Sequence, residues 1–462
     1  MANENNILKI RDNSIITLTK QDEKFVIESG QDPSWLNGAN QPTLLGLSEL
    51  RNGIEPWLTS LFQSEHLSLL TGNGLSTAVQ FLATGKGNSA MSGQDFDSVF
   101  KDIILEASKK SSIASGRGEE NIEDEIRVTN ELIRGLEILG YDTNEEKKGD
   151  YEKLCQCLEA QIKDFTNGIA SIEASVATAP LEKRENAFGY LVSFLMSFAS
   201  RTGTRERLNI FTLNYDRLIE AGADIAGLHL IDRFVGTLAP IFRSSRLDID
   251  MHYNPPGVRG EPRYLEGVAR FTKLHGSIDW VDVGTDIRRI GLPFGSTDIT
   301  NFLNAPGLDD VDRRKVMIYP NSSKDRETAE YPYIELFRDF ATALCHPNST
   351  LVTYGYGFGD DHINRIIRDM LTIPSTHLVI ISFDDAGGRI TKKYEEFGRS
   401  SQITLIIGKD LANLSTLVDY FMPKASIDKA SIRMSELLKQ RYSETKVESR
   451  QGESSDSSGA DL

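Results

Sequence analysis

Apolar residues along this chain follow two periodicities. Short, nearly continuous apolar runs at 67–70, 208–213, 271–274, 316–319, 351–354, 378–383 and 403–407 predict buried strands. Residues 334–345 and 362–371 instead repeat at helical spacing. Apolar strands alternating with helices predict an α/β fold, a Rossmann-like, mainly parallel sheet covered on both faces. Between 96 and 200 only the helical period survives. Leu154, Leu158, Ile162, Phe165, Ile169 and Ile172 share one helix face, and Phe188, Leu191, Leu195 and Phe198 share another. This predicts a large helical insertion at 96–200 within a sheet domain made of 61–95 and 201–425. Residues 1–60 read as an N-terminal extension, in which alternation at 15–18 and 25–27 predicts a hairpin or an edge addition to the sheet. The Ser-, Glu- and Gly-rich stretch 443–462 is too polar to bury a core and is expected to be disordered.

Charge and cysteine usage narrow the function classes. Lys+Arg is 51 and Asp+Glu is 67, a net charge of −16. That sign disfavours sequence-independent nucleic-acid binding, which needs basic patches on phosphates, so no direct nucleic-acid contact is expected. No apolar run approaches the roughly 20 residues of a membrane helix. The start, Met1-Ala2-Asn3-Glu4-Asn5-Asn6, has neither the basic nor the apolar part of a signal peptide. Three cysteines, Cys155, Cys157 and Cys345, do not make a disulfide framework. A soluble, cytoplasmic protein is expected.

Candidate chemistry gathers at the ends of predicted strands. Thr71-Gly72-Asn73-Gly74-Leu75-Ser76 follows the first sheet strand. Its glycines allow a sharp turn and close approach to a pyrophosphate, with helix-start amides to hold the anion. A plain tight turn is the other reading. Thr212-Leu213-Asn214-Tyr215-Asp216 ends a buried strand in polar residues, at the sheet edge where open α/β folds bind ligands. Asn214 as a helix cap and Asp216 in a first helical turn are the structural alternatives. Lys273-Leu274-His275-Gly276-Ser277 puts a histidine at another strand end, where a neutral imidazole can take a proton near pH 7, or serve structure alone. Tyr354-Gly355-Tyr356-Gly357-Phe358-Gly359 leads through Asp360-Asp361-His362-Ile363-Asn364 into a helix. Its glycines permit close backbone approach to a ligand, or simply a surface loop.

Taken in order, these motifs resemble the sirtuin superfamily, in the branch found in bacterial anti-phage and NAD-depletion proteins. Gly72-Asn73-Gly74-Leu75-Ser76 is similar to the first dinucleotide loop, with Asn73 in place of alanine. Thr212-Leu213-Asn214-Tyr215-Asp216 is similar to the segment supplying the catalytic asparagine and a neighbouring aspartate. Leu274-His275-Gly276 is similar to the segment of the catalytic histidine. Gly355-Tyr356-Gly357-Phe358 and Asp361-His362-Ile363-Asn364 look like the late loop and helix of the defence-type branch. Two departures bear on activity. There is no C-x-x-C and no fourth cysteine, so a Cys₄ zinc site cannot form within one chain, and neither zinc nor another metal is expected. A Pro-Asp-Phe-Arg stretch is missing after the first loop, where the chain reads Ser76-Thr77-Ala78-Val79-Gln80. That weakens the case for an acyl-lysine peptide substrate.

The resemblance implies NAD+ as substrate, cleaved at the nicotinamide–ribose bond to nicotinamide and ADP-ribose, in an anti-phage NAD-depletion role. Under it Asn214 orients water and the ribose hydroxyls, His275 is the general base and Asp216 holds the nicotinamide end. Gly72, Asn73, Gly74 and Ser76 cradle the pyrophosphate, and Thr212, Gly355 and Gly357 join the cofactor site. Tyr356 and Phe358 either close over the cofactor or pack. The competing classes are an NAD- or ADP-ribose-binding sensor or scaffold without turnover, and a protein deacylase. The resemblance also implies assembly, as a homo-oligomer or with a HerA-like hexameric ATPase or another defence-operon partner.

Overall fold

The computed structural model describes residues 6–11, 14–28, 44–87, 98–114, 122–201, 205–248, 251–253, 263–284, 286–298, 302–303, 307–308 and 331–424. The strand expected at 316–319, the stretch 115–118 and the tail 443–462 lie outside them.

Three strands, β1 (Asn6–Lys9), β2 (Ile16–Gln21) and β3 (Lys24–Ile27), open the chain as an antiparallel ribbon. Helix α1 (Leu47–Phe62) then leads to β4 (His66–Thr71) and α2 (Asn73–Thr84). Four helices follow, α3 (Lys101–Ala114), α4 (Ile122–Ile138), α5 (Lys148–Ala177) and α6 (Leu181–Ala199). The sheet resumes with β5 (Asn209–Thr212), α7 (Leu218–Ala226) and β6 (His229–Ile231). Short strands come next, β7 (Phe234–Val235), β8 (Ile241–Phe242), β9 (His252–Tyr253) and β10 (Arg263–Tyr264). After them run β11 (Val268–Lys273), β12 (Trp280–Asp282) and β13 (Ile287–Arg289). The last part is α8 (Tyr333–Leu344), β14 (Ser349–Tyr354), α9 (Asp361–Met370), β15 (His377–Ser382), α10 (Arg389–Phe397) and β16 (Ile403–Ile407).

Ten strands form one sheet in the order β3-β2-β1-β16-β15-β14-β4-β5-β11-β6. From β16 to β6 every pairing is parallel, and β1 closes antiparallel onto β16. This is a Rossmann-like α/β fold with a helical insertion. From β4 the chain steps outward through β5 on one side, then returns to β14 on the other. The carboxyl ends of β4 and β14 therefore flank a topological switch point, the place where such sheets open a crevice.

Burial explains why the runs read as strands. β14 and β15 are buried at every position, as parallel strands covered on both faces must be. One apolar layer joins Leu69, Ile210 and Ile381 to α1, α2, α6 and α7. The opposite layer joins Leu70, Phe211 and Ile380 to α8, α9 and α10. The N-terminal ribbon is an edge addition, and β1 is pinned to β16 by Lys9. That ammonium is 2% exposed, and its three donors meet the carbonyls of Ser400 (2.5 Å), Ile403 (2.8 Å) and Arg11 (3.1 Å).

The stretch expected as one insertion divides in two. α6 belongs to the sheet's own layer, packed so closely on α7 that a Cβ on Gly222 would lie 2.8 Å from Leu191 Cδ2. α4 and α5 bury Leu154, Leu158, Ile162, Phe165 and Ile169 in a separate core, which also takes in Tyr215, Ile278 and Leu292 from the sheet's carboxyl edge. No helix among the described residues is long and apolar enough to cross a membrane.

Candidate functional site

Strand register gathers the motifs into one row. Tyr354 of β14 pairs with Thr71 of β4, Thr71 with Thr212 of β5, and Thr212 with Lys273 of β11. Four adjacent strands thus end level, and their next residues, Gly355, Gly72, Leu213 and Leu274, leave the sheet side by side. The four motifs, scattered over the chain, become neighbours at the carboxyl edge.

The two glycine loops pack backbone to backbone. Gly72 N donates to Tyr354 O (3.0 Å) and Gly74 N to Gly355 O (3.1 Å). A Cβ on Gly72 would stand 2.5 Å from Gly355 O, and one on Gly74 2.5 Å from Gly355 Cα. Glycine at 72 and 74 is therefore required by the neighbouring loop, and the amides of both residues serve that loop. Gly355 has φ +63°, the left-handed region that favours glycine. Asn73 opens α2 behind Gly72, its N-cap.

Asn214 is fixed by donors it alone can supply. Its Nδ2 donates to Gly72 O (3.0 Å) and to Ser76 Oγ (2.8 Å). Because Gly72 O can only accept, the amide has a single sensible orientation. Ser76 Oγ in turn donates to Asp216 Oδ2 (2.5 Å), while Asp216 Oδ1 accepts from Leu218 N (3.1 Å) at the start of α7. Asp216 thus polarises Ser76, which then accepts from Asn214. Asn214 Oδ1 is left with no protein partner among the described residues. Thr212, 1% exposed, receives the Asn214 amide on Oγ1 (3.1 Å) and the Thr71 hydroxyl (2.9 Å), so it shapes the turn from below.

His275 leaves β11 one strand over. Gly276, with φ +83°, turns the chain sharply behind it. His275 Nε2 lies 3.1 Å from Asp360 Oδ2, and the other carboxylate oxygen caps α9 by accepting from His362 N (2.8 Å) and Ile363 N (3.3 Å). Burial opposes ionisation of Asp360, but the His275 bond and charge, with the two α9 amides, outweigh it and hold the carboxyl down at about 2. A carboxylate is acceptor only, so Nε2 carries the hydrogen and Nδ1 is the basic nitrogen. Nδ1 has no protein partner among the described residues. Asn214 and His275 are 8% and 9% exposed, so neither is fully sealed from solvent.

Sequence reasoning missed three of the groups that hold this site. Asp360 was legible only as one more acidic residue before a helix. Lys273, 2% exposed, donates to Asp216 O (2.5 Å) and Glu220 Oε1 (3.1 Å) and fixes the asparagine turn from the far side. Glu173 reaches that turn from α5 and bonds Arg217. Lysine beside the histidine motif was a readable signal; Glu173 had none, since it lies 44 residues from its partner.

Tyr356 and Phe358 lie in the core rather than over the crevice. They are 4% and 1% exposed, with ring centroids 4.6 Å apart. The Tyr356 hydroxyl sits 2.9 Å from Asn364 Oδ1 and 3.1 Å from Asp360 O, and Asn364 Nδ2 donates to Phe358 O (3.0 Å). Burial, reinforced by the Asp360 charge, pushes the Tyr356 phenol well up, so it stays a hydroxyl. Gly357 O accepts from Arg389 Nε (3.0 Å). This loop is a scaffold that presents Asp360 to His275.

Residues 208–406 match the SIR2-like domain family. That span holds Asn214, His275 and the Gly355–Asp360 loop, and starts beyond the Gly72 loop, which register and hydrogen bonds join to the same site. The match supports a place in the sirtuin-like superfamily. No curated protein matches the chain.

Proposed function

We propose that this chain hydrolyses NAD+ to nicotinamide and ADP-ribose and acts as an NAD-depleting defence effector. The observation that carries the reading is a pair of atoms. Asn214 Oδ1 and His275 Nδ1 stand at adjacent strand ends, each oriented by buried partners and each without a protein partner of its own among the described residues. A binding-only module has no need of a histidine oriented by a carboxylate.

Asn214 Oδ1 accepts a hydrogen from the attacking water or a ribose hydroxyl. Loss of neutral nicotinamide leaves oxocarbenium character on the ribose, water adds there, and its proton passes to His275 Nδ1. Asp360 supports the imidazolium so formed. One NAD+ and one water give nicotinamide, ADP-ribose and one proton. Gly72, Gly74, Ser76 and Asp216 set the position of Asn214, and the start of α2, beside Asn214, has the helix-end polarity that suits a pyrophosphate. Positioning and proton transfer of this kind each contribute about 10²–10⁴-fold. Assembly with a HerA-like ATPase or into a homo-oligomer is part of the same proposal.

The test is product analysis with the full chain. NAD+ is supplied with and without an acyl-lysine peptide, and nicotinamide and ADP-ribose are quantified. Equal amounts of the two without peptide are expected. Turnover only with peptide would make the protein a deacylase, and tight binding without turnover would make it a sensor.

A further inference from the structure

Besides the bonds with Gly72 and Ser76, the Asn214 turn is held by a carboxylate of the insertion. Glu173 lies on α5 and is fully buried. Its Oε1 accepts from the main-chain N of Arg217 (2.7 Å) and from Arg217 Nε (3.2 Å), and its Oε2 from Arg217 Nη2 (2.6 Å). The remaining guanidinium donors reach the carbonyls of Leu292, through Nη1, and Pro293, through Nη2 (3.2 Å). Arg217 is the N-cap residue of α7, so the carboxylate also sits at the positive end of that helix. Two residues earlier, Tyr215 leans into the core of α4 and α5, its ring edge-on to Phe165 at 5.6 Å.

We propose that Glu173 is a positioning residue through which α5 sets the geometry of the Asn214 turn, so that turnover depends on where that helix sits. The inference rests on the NAD+-cleavage reading for its kinetic consequence, but not for the structural one. A buried, bidentate ion pair is a poor source of net stability and a good source of unique geometry. Here it adds a bond to the main chain three residues from Asn214, which a side-chain pair serving only to join two helices would not need. Lys273 holds the other side of the same peptide unit, at Asp216 O, from within the sheet. The turn is thus held by β11 through Lys273, by α2 through Ser76 and, at its far end, by a helix of the insertion through Glu173. Any displacement of α5 would be transmitted to Asn214 as a change in orientation, the kind of small misplacement that costs up to about 10²-fold in rate.

Two variants of the full chain test this. Glu173→Gln keeps the volume and one acceptor. Glu173→Leu combined with Arg217→Met removes both charges, so no buried charge is stranded. The readouts are kcat and KM for NAD+ cleavage, affinity for ADP-ribose, and hydrogen exchange of the amides at 214–218. Both variants are expected to lose about tenfold to a hundredfold in kcat. KM and ADP-ribose affinity should hold within about threefold, while exchange quickens at 214–218 and stays slow in β4 and β14. Glu173→Asp should recover part of the rate. Unchanged kcat and unchanged exchange in a folded variant would overturn the proposal. If the wild-type chain cleaves no NAD+, the functional reading fails on its own, and the exchange arm still decides whether Glu173 holds the turn.

Discussion

Asp360 Oδ2 lies 3.1 Å from His275 Nε2, while Asp360 Oδ1 accepts the first free amides of α9. One side chain therefore anchors a helix and selects which imidazole nitrogen is basic. The two duties separate by mutation. Asn at 360 still caps α9, since asparagine is as good an N-cap as aspartate, but it cannot stabilise an imidazolium. Asp360→Asn is expected to melt within a few degrees of wild type and to lose about 10²-fold in kcat for NAD+ cleavage. Thermal denaturation and steady-state kinetics on the same preparation check both halves; a wild-type rate would remove Asp360 from the mechanism.

The Gly74–Gly355 contact leaves no room for a methyl group. Gly74→Ala would put Cβ 2.5 Å from backbone that cannot swing aside. Overpacking of this kind costs about 1–3 kcal/mol. A lowered denaturation midpoint is expected, together with loss of Asn214 orientation, because Gly72 O is one of its two acceptors. Stability unchanged in Gly74→Ala would show that the loops separate readily.

Much of this architecture was legible because it is local. The stripe from Leu154 to Ile172 became the buried face of α5, and the apolar runs at 351–354 and 378–383 became β14 and β15. The strand-end motifs were placed at one edge because a parallel sheet puts every carboxyl end on the same side. What escaped is non-local or weakly patterned. β1 is four residues, NILK, and its pairing with β16 is reinforced by a lysine that finds two distant carbonyls, those of Ser400 and Ile403. The glycines read as an approach to phosphate meet, at 72 and 74, a further demand that the sequence does not show, from a loop 281 residues on, from Gly74 to Gly355. Glu173 reads as a polar interruption beside Ile172, and only the fold brings it to Arg217.

Stability should fall in mild acid through His377. This imidazole is 8% exposed, with Nε2 2.8 Å from Thr404 Oγ1 and its ring edge-on to Trp57 at 5.5 Å. Burial, with the nearby Lys9 charge, pushes it down to about 4 from its ordinary 6.5. Between those values the unfolded chain binds the proton and the folded chain does not, so stability rises with pH across that window. The contribution is complete above pH about 6.5 and is lost on the way down to about 4, to the extent of about 3 kcal/mol. Urea midpoints measured at pH 7.5, 6 and 5 should fall more steeply for wild type than for His377→Gln. Parallel curves would assign acid sensitivity elsewhere.

Zinc should be dispensable. Cys155 and Cys157 lie on α5, Cys345 caps the end of α8, and three thiols do not complete a Cys₄ site. Elemental analysis of purified protein is expected to find well under one zinc per chain, and a strong chelator should leave the melting temperature and turnover unchanged. A stoichiometric, tightly held zinc would contradict this.

In the proposed hydrolysis Asn214 and His275 act as one unit on one bond, and a double-mutant cycle on nicotinamide release tests that most directly. The full chain is assayed as wild type, Asn214→Ala, His275→Ala and the double variant, each verified as folded. Each single substitution should lower kcat/KM for NAD+ by about 10² or more, and the double variant should lose little beyond the worse single. Single variants that retain wild-type release, or a double loss equal to the product of the two single losses, would contradict the account.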